Sequence, residues 1–240
     1  MSEARPCLGR PLSPMAPART GALVVWRSDG SRFFHITRGE YILPVSTRLK
    51  PWHYLYMARV AGTPEATVLL SGGIDSAAVL ALLKKQGMQV RCLFVDYGQL
   101  AVEQETVASR SIASHFSSRW SSISVSGLKV PAMQEVKGRN DLLIAVATVC
   151  NTDSIVALGT HGGTPYVDCS TAHHSAWQGL YDIQYHGVQR ILAPFIDKAK
   201  PEVFAAALEL SVPISLTYSC EASDGPCGKC SSCRDRSALR

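Results

Sequence analysis

The sequence predicts an α/β protein built on a doubly wound parallel sheet, and three observations carry that expectation. An apolar run from Thr67 to Leu70 leads into a glycine turn, a helical block from Ser76 to Lys85, and a second apolar run from Gln89 to Val95 closed by Asp96. Strand and helix blocks then keep alternating, with helices expected over Glu103–Phe116, Arg139–Asn151 and Pro201–Leu210 and strands over Ser121–Val125, Ser154–Leu158 and Gln189–Leu192. The 240 residues, 46% apolar and 18% charged, leave room for one sizeable core and an appendage.

The first block, with its turn, is the most informative. Ser71-Gly72-Gly73-Ile74-Asp75-Ser76 lies between a strand and a helix. Adjacent glycines let the backbone approach a ligand, successive N–H groups point into the turn, and the helix N-terminus adds partial positive charge. Ser71 and Ser76 can donate to pyrophosphate oxygens. Asp75 would repel a bare phosphate and makes chemical sense as a partner of Mg2+. The pattern G-x-x-x-x-G-K-[ST] is absent. A plain glycine-rich turn with Ser76 as helix cap is the competing reading. The following strand ends at Asp96, on the sheet edge where open α/β sheets bind ligands.

Of eight cysteines, four crowd between Cys220 and Cys233. Cys220-x6-Cys227-x2-Cys230-x2-Cys233, with Gly225 and Gly228 in the turns, offers four soft ligands on a short loop, as tetrahedral Zn2+ requires. An iron–sulfur cluster is the rival occupant, and disulfides trail both. Four thiolates would leave no position for water, so a zinc ion there is structural. Cys92 and Cys150 lie in apolar segments and are expected to be inert core thiols. This usage points to a reducing, cytoplasmic setting.

The remaining segments exclude more than they assign. Two β-type runs, Gly21–Trp26 and Arg32–Thr37, flank Ser28-Asp29-Gly30-Ser31 and predict a hairpin. The first twenty residues carry Arg5, Arg10 and Arg19 among four prolines with no apolar stretch behind them, so a secretory signal is not supported. No apolar run reaches the roughly eighteen residues of a membrane span; Leu142 to Cys150 falls well short. A net charge of +5 with scattered Lys and Arg permits a nucleic-acid partner without demanding one.

The hexapeptide in its strand–turn–helix setting resembles the SGGxDS signature of PP-loop (HUP-like) ATP pyrophosphatases. That resemblance implies cleavage of ATP to AMP and pyrophosphate, with AMP transferred to a substrate oxygen. Further matches follow in order. Asp96-Tyr97-Gly98-Gln99 is similar to the FDYGQ segment of the QueC family, Gly138-Arg139-Asn140 to its GRN, Tyr166-Val167-Asp168-Cys169 to its YPDC, and Asp197-Lys198-Ala199 to its DKA run. The cysteine tail matches as well, with a first interval slightly shorter than usual. The resemblance spans roughly Thr67 to Arg234. It departs in a short Ser126–Lys137 loop and in Ser170, where an arginine is usual.

The resemblance implies adenylation of 7-carboxy-7-deazaguanine, displacement of AMP by ammonia, and dehydration of the amide to the nitrile by a second ATP. Ser71, Gly72, Gly73, Asp75, Ser76 and Asp96 would hold ATP and Mg2+. Lys198 would place its ammonium on the α-phosphate and Arg139 would grip a carboxylate. Tyr97, Gln99, His161, Tyr166 and Asp168 would meet the flat base. A homodimer is the expected assembly. The N-terminal module is too short for a glutamine-hydrolysing domain, and ammonia must come from elsewhere.

Four segments are expected: a disordered leader over 1–20, a small β module over 21–63, a nucleotide-binding domain over 64–215 and a zinc-binding segment over 216–240. Three other functions compete with nitrile synthesis. A related ligase could join the deazaguanine carboxylate to a protein or peptide amine. A non-catalytic adaptor could keep the fold alone, against which Ser71, Asp75, Ser76 and Lys198 argue. A tRNA-thiolating enzyme would need a reactive cysteine beside the ATP site, where Cys169 is the candidate.

Overall fold

The computed structural model describes residues 22–26, 32–36, 65–131, 136–150, 155–222 and 225–238. The chain divides into two compact units, residues 1–49 and 50–240. In the first, β1 (Ala22–Trp26) and β2 (Arg32–Ile36) pair antiparallel, Ala22 opposite Ile36 and Trp26 opposite Arg32. This is the hairpin the sequence predicts. The leader over 1–20 and the connecting turn lie outside the described residues.

The second unit holds β3 (Glu65–Leu69), α1 (Ile74–Lys85), β4 (Gln89–Asp96), α2 (Val102–His115), β5 (Arg119–Ser124) and α3 (Arg139–Cys150). It continues with β6 (Ile155–Ala157), α4 (Thr171–Gln184), β7 (Arg190–Leu192), α5 (Lys200–Glu209) and α6 (Ser231–Ala238). The sheet order is β5-β4-β3-β6-β7, and every pairing is parallel. The chain runs outward from β3 on one side, then returns to begin again at β6. The crevice between the C-terminal ends of β3 and β6 is therefore the switch point where such sheets take ligands.

Two-residue alternation divides the strand side chains between two cores. Ala66, Val68, Val90, Cys92, Ile155 and Ala157 face one way, against α1, α2 and α5 through Leu80, Leu83, Ile112, Val203 and Ala207. Leu69, Leu93, Val95, Val156 and Ile191 face the other, against α3 and α4 through Ile144, Ala147 and Tyr181. Helices on both faces make this the doubly wound sheet that the sequence predicts. Leu80 and Leu83 are almost wholly buried, each contributing about 1.5–3 kcal/mol of transfer free energy.

Three local features differ from expectation. Helix α1 begins at Ile74 with Gly73 as its cap residue, and the Ser76 hydroxyl turns back to the Gly73 carbonyl at 3.1 Å instead of capping from outside. Helix α4 is not anticipated by the sequence pattern. Its cap is Ser170, whose Oγ accepts from the His173 N–H at 3.2 Å, which gives the serine at the arginine position a structural role. Cys92 is buried as expected, whereas Cys150 is exposed, because the last turn of α3 turns Val149 and Cys150 away from the sheet.

Candidate active site and cysteine cluster

The loop between β3 and α1 is shaped by one obligatory glycine. Gly72 has φ +89°, and a Cβ there would lie 2.9 Å from the Glu105 carbonyl oxygen, the Ser109 nitrogen and the Ala108 Cβ. Helix α2 packs hard against the turn at this point. The Ser71 hydroxyl meets the Ser76 hydroxyl at 3.2 Å and accepts from the Gly73 N–H at 3.3 Å. The first turn of α1 leaves its amides without intrahelical acceptors, a ready cradle for anionic oxygen. Gly159, just beyond β6, closes onto this turn: a Cβ there would fall 2.6 Å from the Ser76 nitrogen.

Asp75 is the meeting point of three segments. Lys200, the first residue of α5, donates to its two carboxylate oxygens at 2.7 and 2.5 Å. His161 brings Nε2 to 4.0 Å from the same carboxylate. Its loop packs on the segment after β7, where a Cβ on Gly162 would meet the Ile196 carbonyl at 3.0 Å. Lys200 thus reaches the first turn of α1 beside the phosphate loop, a lysine the sequence reading does not name. Lys198 lies 3.4 Å from Glu202, a residue that also accepts from the Ala199 N–H at 2.8 Å and caps α5. The signal for Lys200 is its place at a helix start facing the sheet edge, two residues beyond the DKA run.

The segment after β4 is held by its own side chains. Asp96 accepts from the Gly98 N–H at 3.0 Å and the Ser124 hydroxyl at 3.1 Å. Gln99 is buried, accepts from the Tyr97 N–H at 2.9 Å, and donates to the Val95 carbonyl at 3.2 Å and Glu105 at 2.9 Å. The amide of Gln99 therefore braces the loop that presents Tyr97. Burial pushes the Glu105 carboxyl up to about 7, against the opposing effects of Gln99 and Arg139.

Arg139 draws the DYG, GRN and VDC motifs together. Its guanidinium bonds the Tyr97 phenol. Burial opposes its charge, but the Tyr97 phenol, the Asp168 carboxylate and the Cys169 thiol outweigh that effect and hold its pKa above the ordinary value. Asp168 accepts from the Asn140 N–H at 3.3 Å, placing a carboxylate on the N-terminus of α3. Asn140 also donates to the Asp168 carbonyl at 3.3 Å. Tyr166 stands exposed at the rim. Burial raises the Cys169 thiol, the wrong direction for a sulfur nucleophile.

The Sγ atoms of Cys220, Cys227, Cys230 and Cys233 all lie within 4.8 Å of one another. A zinc tetrahedron with bonds of about 2.3 Å has edges of about 3.8 Å, so small side-chain adjustments close the set on one ion. Backbone N–H groups already point at the sulfurs: Ala222 and Cys227 at Cys220, Lys229 and Cys230 at Cys227, Cys233 at Cys230, at 3.3 to 3.4 Å. Those of Lys229 and Cys230 bring the Cys227 thiol down to about 6, favouring the thiolate a metal needs. The four sulfurs and the backbone N–H groups that point at them fit a structural metal site.

Comparison with known proteins agrees with this geometry. The family model described as "Queuosine biosynthesis protein QueC" matches residues 65–135 and 129–239. A 7-cyano-7-deazaguanine synthase from Synechococcus sp. is 33% identical over 204 residues, covering 71% of this chain and 91% of that protein. Another from Gloeothece citriformis is 31% identical over 205 residues, covering 72% and 89%. One from Cupriavidus taiwanensis is 31% identical over 209 residues, covering 73% and 92%.

Proposed function

The chain belongs to the QueC family of queuosine biosynthesis proteins, and from that premise we infer that it is an ATP-dependent carbon–nitrogen ligase that forms 7-cyano-7-deazaguanine. The observation that carries the reading is the convergence on Asp75 of the phosphate turn, Lys200 and His161 at the switch point of the sheet. An ATP pyrophosphatase needs anionic and cationic groups together there, to hold Mg2+ and to stabilise the departing pyrophosphate.

The chemistry takes three steps. A carboxylate oxygen of 7-carboxy-7-deazaguanine bonds the α-phosphorus of ATP as pyrophosphate leaves. Ammonia attacks the acyl carbon, AMP departs and a proton is lost, giving the amide. The amide oxygen bonds the α-phosphorus of a second ATP as pyrophosphate leaves; loss of AMP and the two nitrogen-bound protons then forms the nitrile.

The chain's residues take distinct parts. The turn amides, Ser71 and Ser76 hold the triphosphate, with Gly72 and Gly73 allowing close approach. Asp75 is the residue to hold Mg2+, which supplies charge neutralisation. Lys200 stands nearest the phosphates, with Lys198 at the outer edge. Asp96 lines the nucleotide side. Arg139, in its fixed charge environment, receives the substrate carboxylate, and Tyr97, Gln99, His161, Tyr166 and Asp168 border the base. Zn2+ on the four cysteines has a structural role.

No helix among the described residues is long and apolar enough to cross a membrane, and we place the protein in the reducing cytoplasm. A homodimer would cover the apolar residues Leu180 and Ile183, exposed on α4; sedimentation at two concentrations tests that assembly. The function is tested by incubating the enzyme with ATP, Mg2+, 7-carboxy-7-deazaguanine and ammonium and analysing products by mass spectrometry. Nitrile, AMP and pyrophosphate are expected, and a Ser71→Ala, Asp75→Ala double variant should give none. Stalling at the adenylate or amide would point to a protein or peptide amine as acceptor. No substrate-dependent AMP would overturn the assignment.

A further inference from the structure

The strap from Ile214 to Cys220 joins the ATP site to the cysteine cluster. The Tyr218 N–H donates to the Gly72 carbonyl at 2.9 Å, and the Tyr218 carbonyl lies 3.7 Å from where a Cβ on Gly73 would stand. The strap therefore lies directly on the backbone of the phosphate turn. Two residues later comes Cys220, the first of the four clustered cysteines.

A second route runs from the same cluster. Helix α6 begins directly after Cys230, carries Cys233, and ends in a turn containing Arg236. Arg236 donates to the Ile214 carbonyl at 2.8 Å, the Thr217 carbonyl at 3.0 Å and the Thr217 hydroxyl at 2.9 Å. The Tyr218 hydroxyl reaches forward to the Ala222 carbonyl at 2.8 Å, inside the cysteine loop. Both flanks of Tyr218 are thus fastened to the cluster. Between the strap and α2, by contrast, lies a cavity of about 480 Å³ bordered by Glu103, Val107, Ser111 and Leu216. The strap also rests on the core through Ile214, so its packing and its ties to the cluster act together.

We propose that Tyr218 is a positioning residue through which the metal-closed cysteine cluster holds the phosphate turn in its ATP-binding conformation. A single ion bonded to Cys220, Cys230 and Cys233 fixes the strap's end and α6 relative to each other, and the N–H of Tyr218 then pins the carbonyl of Gly72. Without that closure the strap gains freedom, and the turn loses the hydrogen bond that the strap makes to the Gly72 carbonyl. Loss of metal, by chelation or thiol oxidation, would weaken nucleotide binding without touching a nucleotide ligand.

This inference rests on the phosphate-turn reading, and one experiment separates the two. The full-length protein is prepared with zinc, stripped by a strong chelator under reducing conditions, and restored with zinc. Affinity for a non-hydrolysable ATP analogue with Mg2+ is measured by calorimetry, and amide exchange by mass spectrometry. Stripping should raise the dissociation constant tenfold or more and speed exchange over 70–76 and at Tyr218, with recovery on adding zinc. Unchanged affinity, or lost affinity with exchange over 70–76 unchanged, would overturn the coupling.

If stripping also exposes β3 and β4 to exchange, the zinc-loaded Tyr218→Phe variant decides. It keeps the N–H and the cluster but loses the link to Ala222, and should bind zinc normally while raising the dissociation constant about threefold; wild-type affinity would sink the proposal. Failure of the zinc-loaded wild type to bind the analogue would instead remove the phosphate-turn reading itself.

Discussion

Lys200 and Asp75, 125 residues apart in sequence, meet with the ammonium 2.7 and 2.5 Å from the two carboxylate oxygens. The pair ties the start of α5 to the first turn of α1. If the turn cradles the triphosphate as proposed, the same ammonium would have phosphate oxygens to neutralise beside it. Lys200→Met should therefore lower kcat/KM for ATP about 10²-fold or more, the range found when one preorganised charge donor is removed. Lys198→Ala, which removes only the partner of exposed Glu202, should change it less than about threefold, as expected of a surface pair. Pyrophosphate release measured across an ATP series compares the two; equal losses would reject Lys200 as the principal lysine.

The two glycines of the turn carry different constraints. Gly72→Ala would force a Cβ into positive φ and to within 2.9 Å of α2 backbone, so it should cost about 1–3 kcal/mol of stability. At Gly73 a Cβ meets its nearest neighbour, the Ser71 hydroxyl, at 3.5 Å, so Gly73→Ala should fold like wild type. If close phosphate approach is what demands Gly73, that variant loses ATP affinity while keeping its urea midpoint. Wild-type ATP affinity in Gly73→Ala would assign the second glycine no ligand role.

Glu105 should leave a signature in the pH dependence of stability. Burial raises its carboxyl from 4.5 to about 7 in the fold. The folded protein therefore keeps a proton that the unfolded chain has released between these values. The sign follows: the contribution of Glu105 to stability is fully present below about 4.5, falls as pH rises through that window, and is lost above about 7. At about 1.4 kcal/mol per unit the penalty is roughly 3 kcal/mol. Glu105→Gln mimics the neutral acid and can still accept from Gln99. Urea unfolding at pH 5 and pH 8 should show the variant gaining on wild type at the higher pH; a constant difference would mean that Glu105 ionises freely.

The parts of this molecule legible in its sequence are those whose cause is local. The first βαβ unit is legible to within about two residues because apolar runs are bounded there by glycines. The cysteine cluster follows from spacing on one short loop. Helix α4 carries an apolar stripe at helical spacing, Ala172, Ala176, Leu180 and Ile183, but that stripe is exposed and the inward side is formed by His173, His174, Trp177 and Tyr181, so the pattern does not mark the buried face. Lys200 was hidden by distance: its partner lies on another strand's loop, and Lys198 nearby offered a local motif. Gln99 illustrates the converse, since a short motif names a residue without saying that its amide turns inward to brace the loop.

Arg139 shows how a site residue can be separated from its supports. Its guanidinium is held between the Tyr97 phenol and the Asp168 carboxylate, and Asp168 also accepts from the N-terminus of α3. Arg139→Lys keeps a charge but loses the planar fork. KM for the deazaguanine carboxylate should rise about 10- to 100-fold, with KM for ATP within about twofold, because the phosphate turn is built from other residues. Asp168→Asn keeps an acceptor for the Asn140 N–H but removes negative charge from a helix N-terminus and from Arg139. That variant should lose about 1 kcal/mol of stability and show a smaller rise in substrate KM than Arg139→Lys. Steady-state kinetics with each substrate varied separately, beside urea midpoints, tests both. If Arg139→Lys raises the two KM values equally, or changes only stability, the guanidinium is a brace for Tyr97 and Asp168 and the carboxylate is gripped elsewhere.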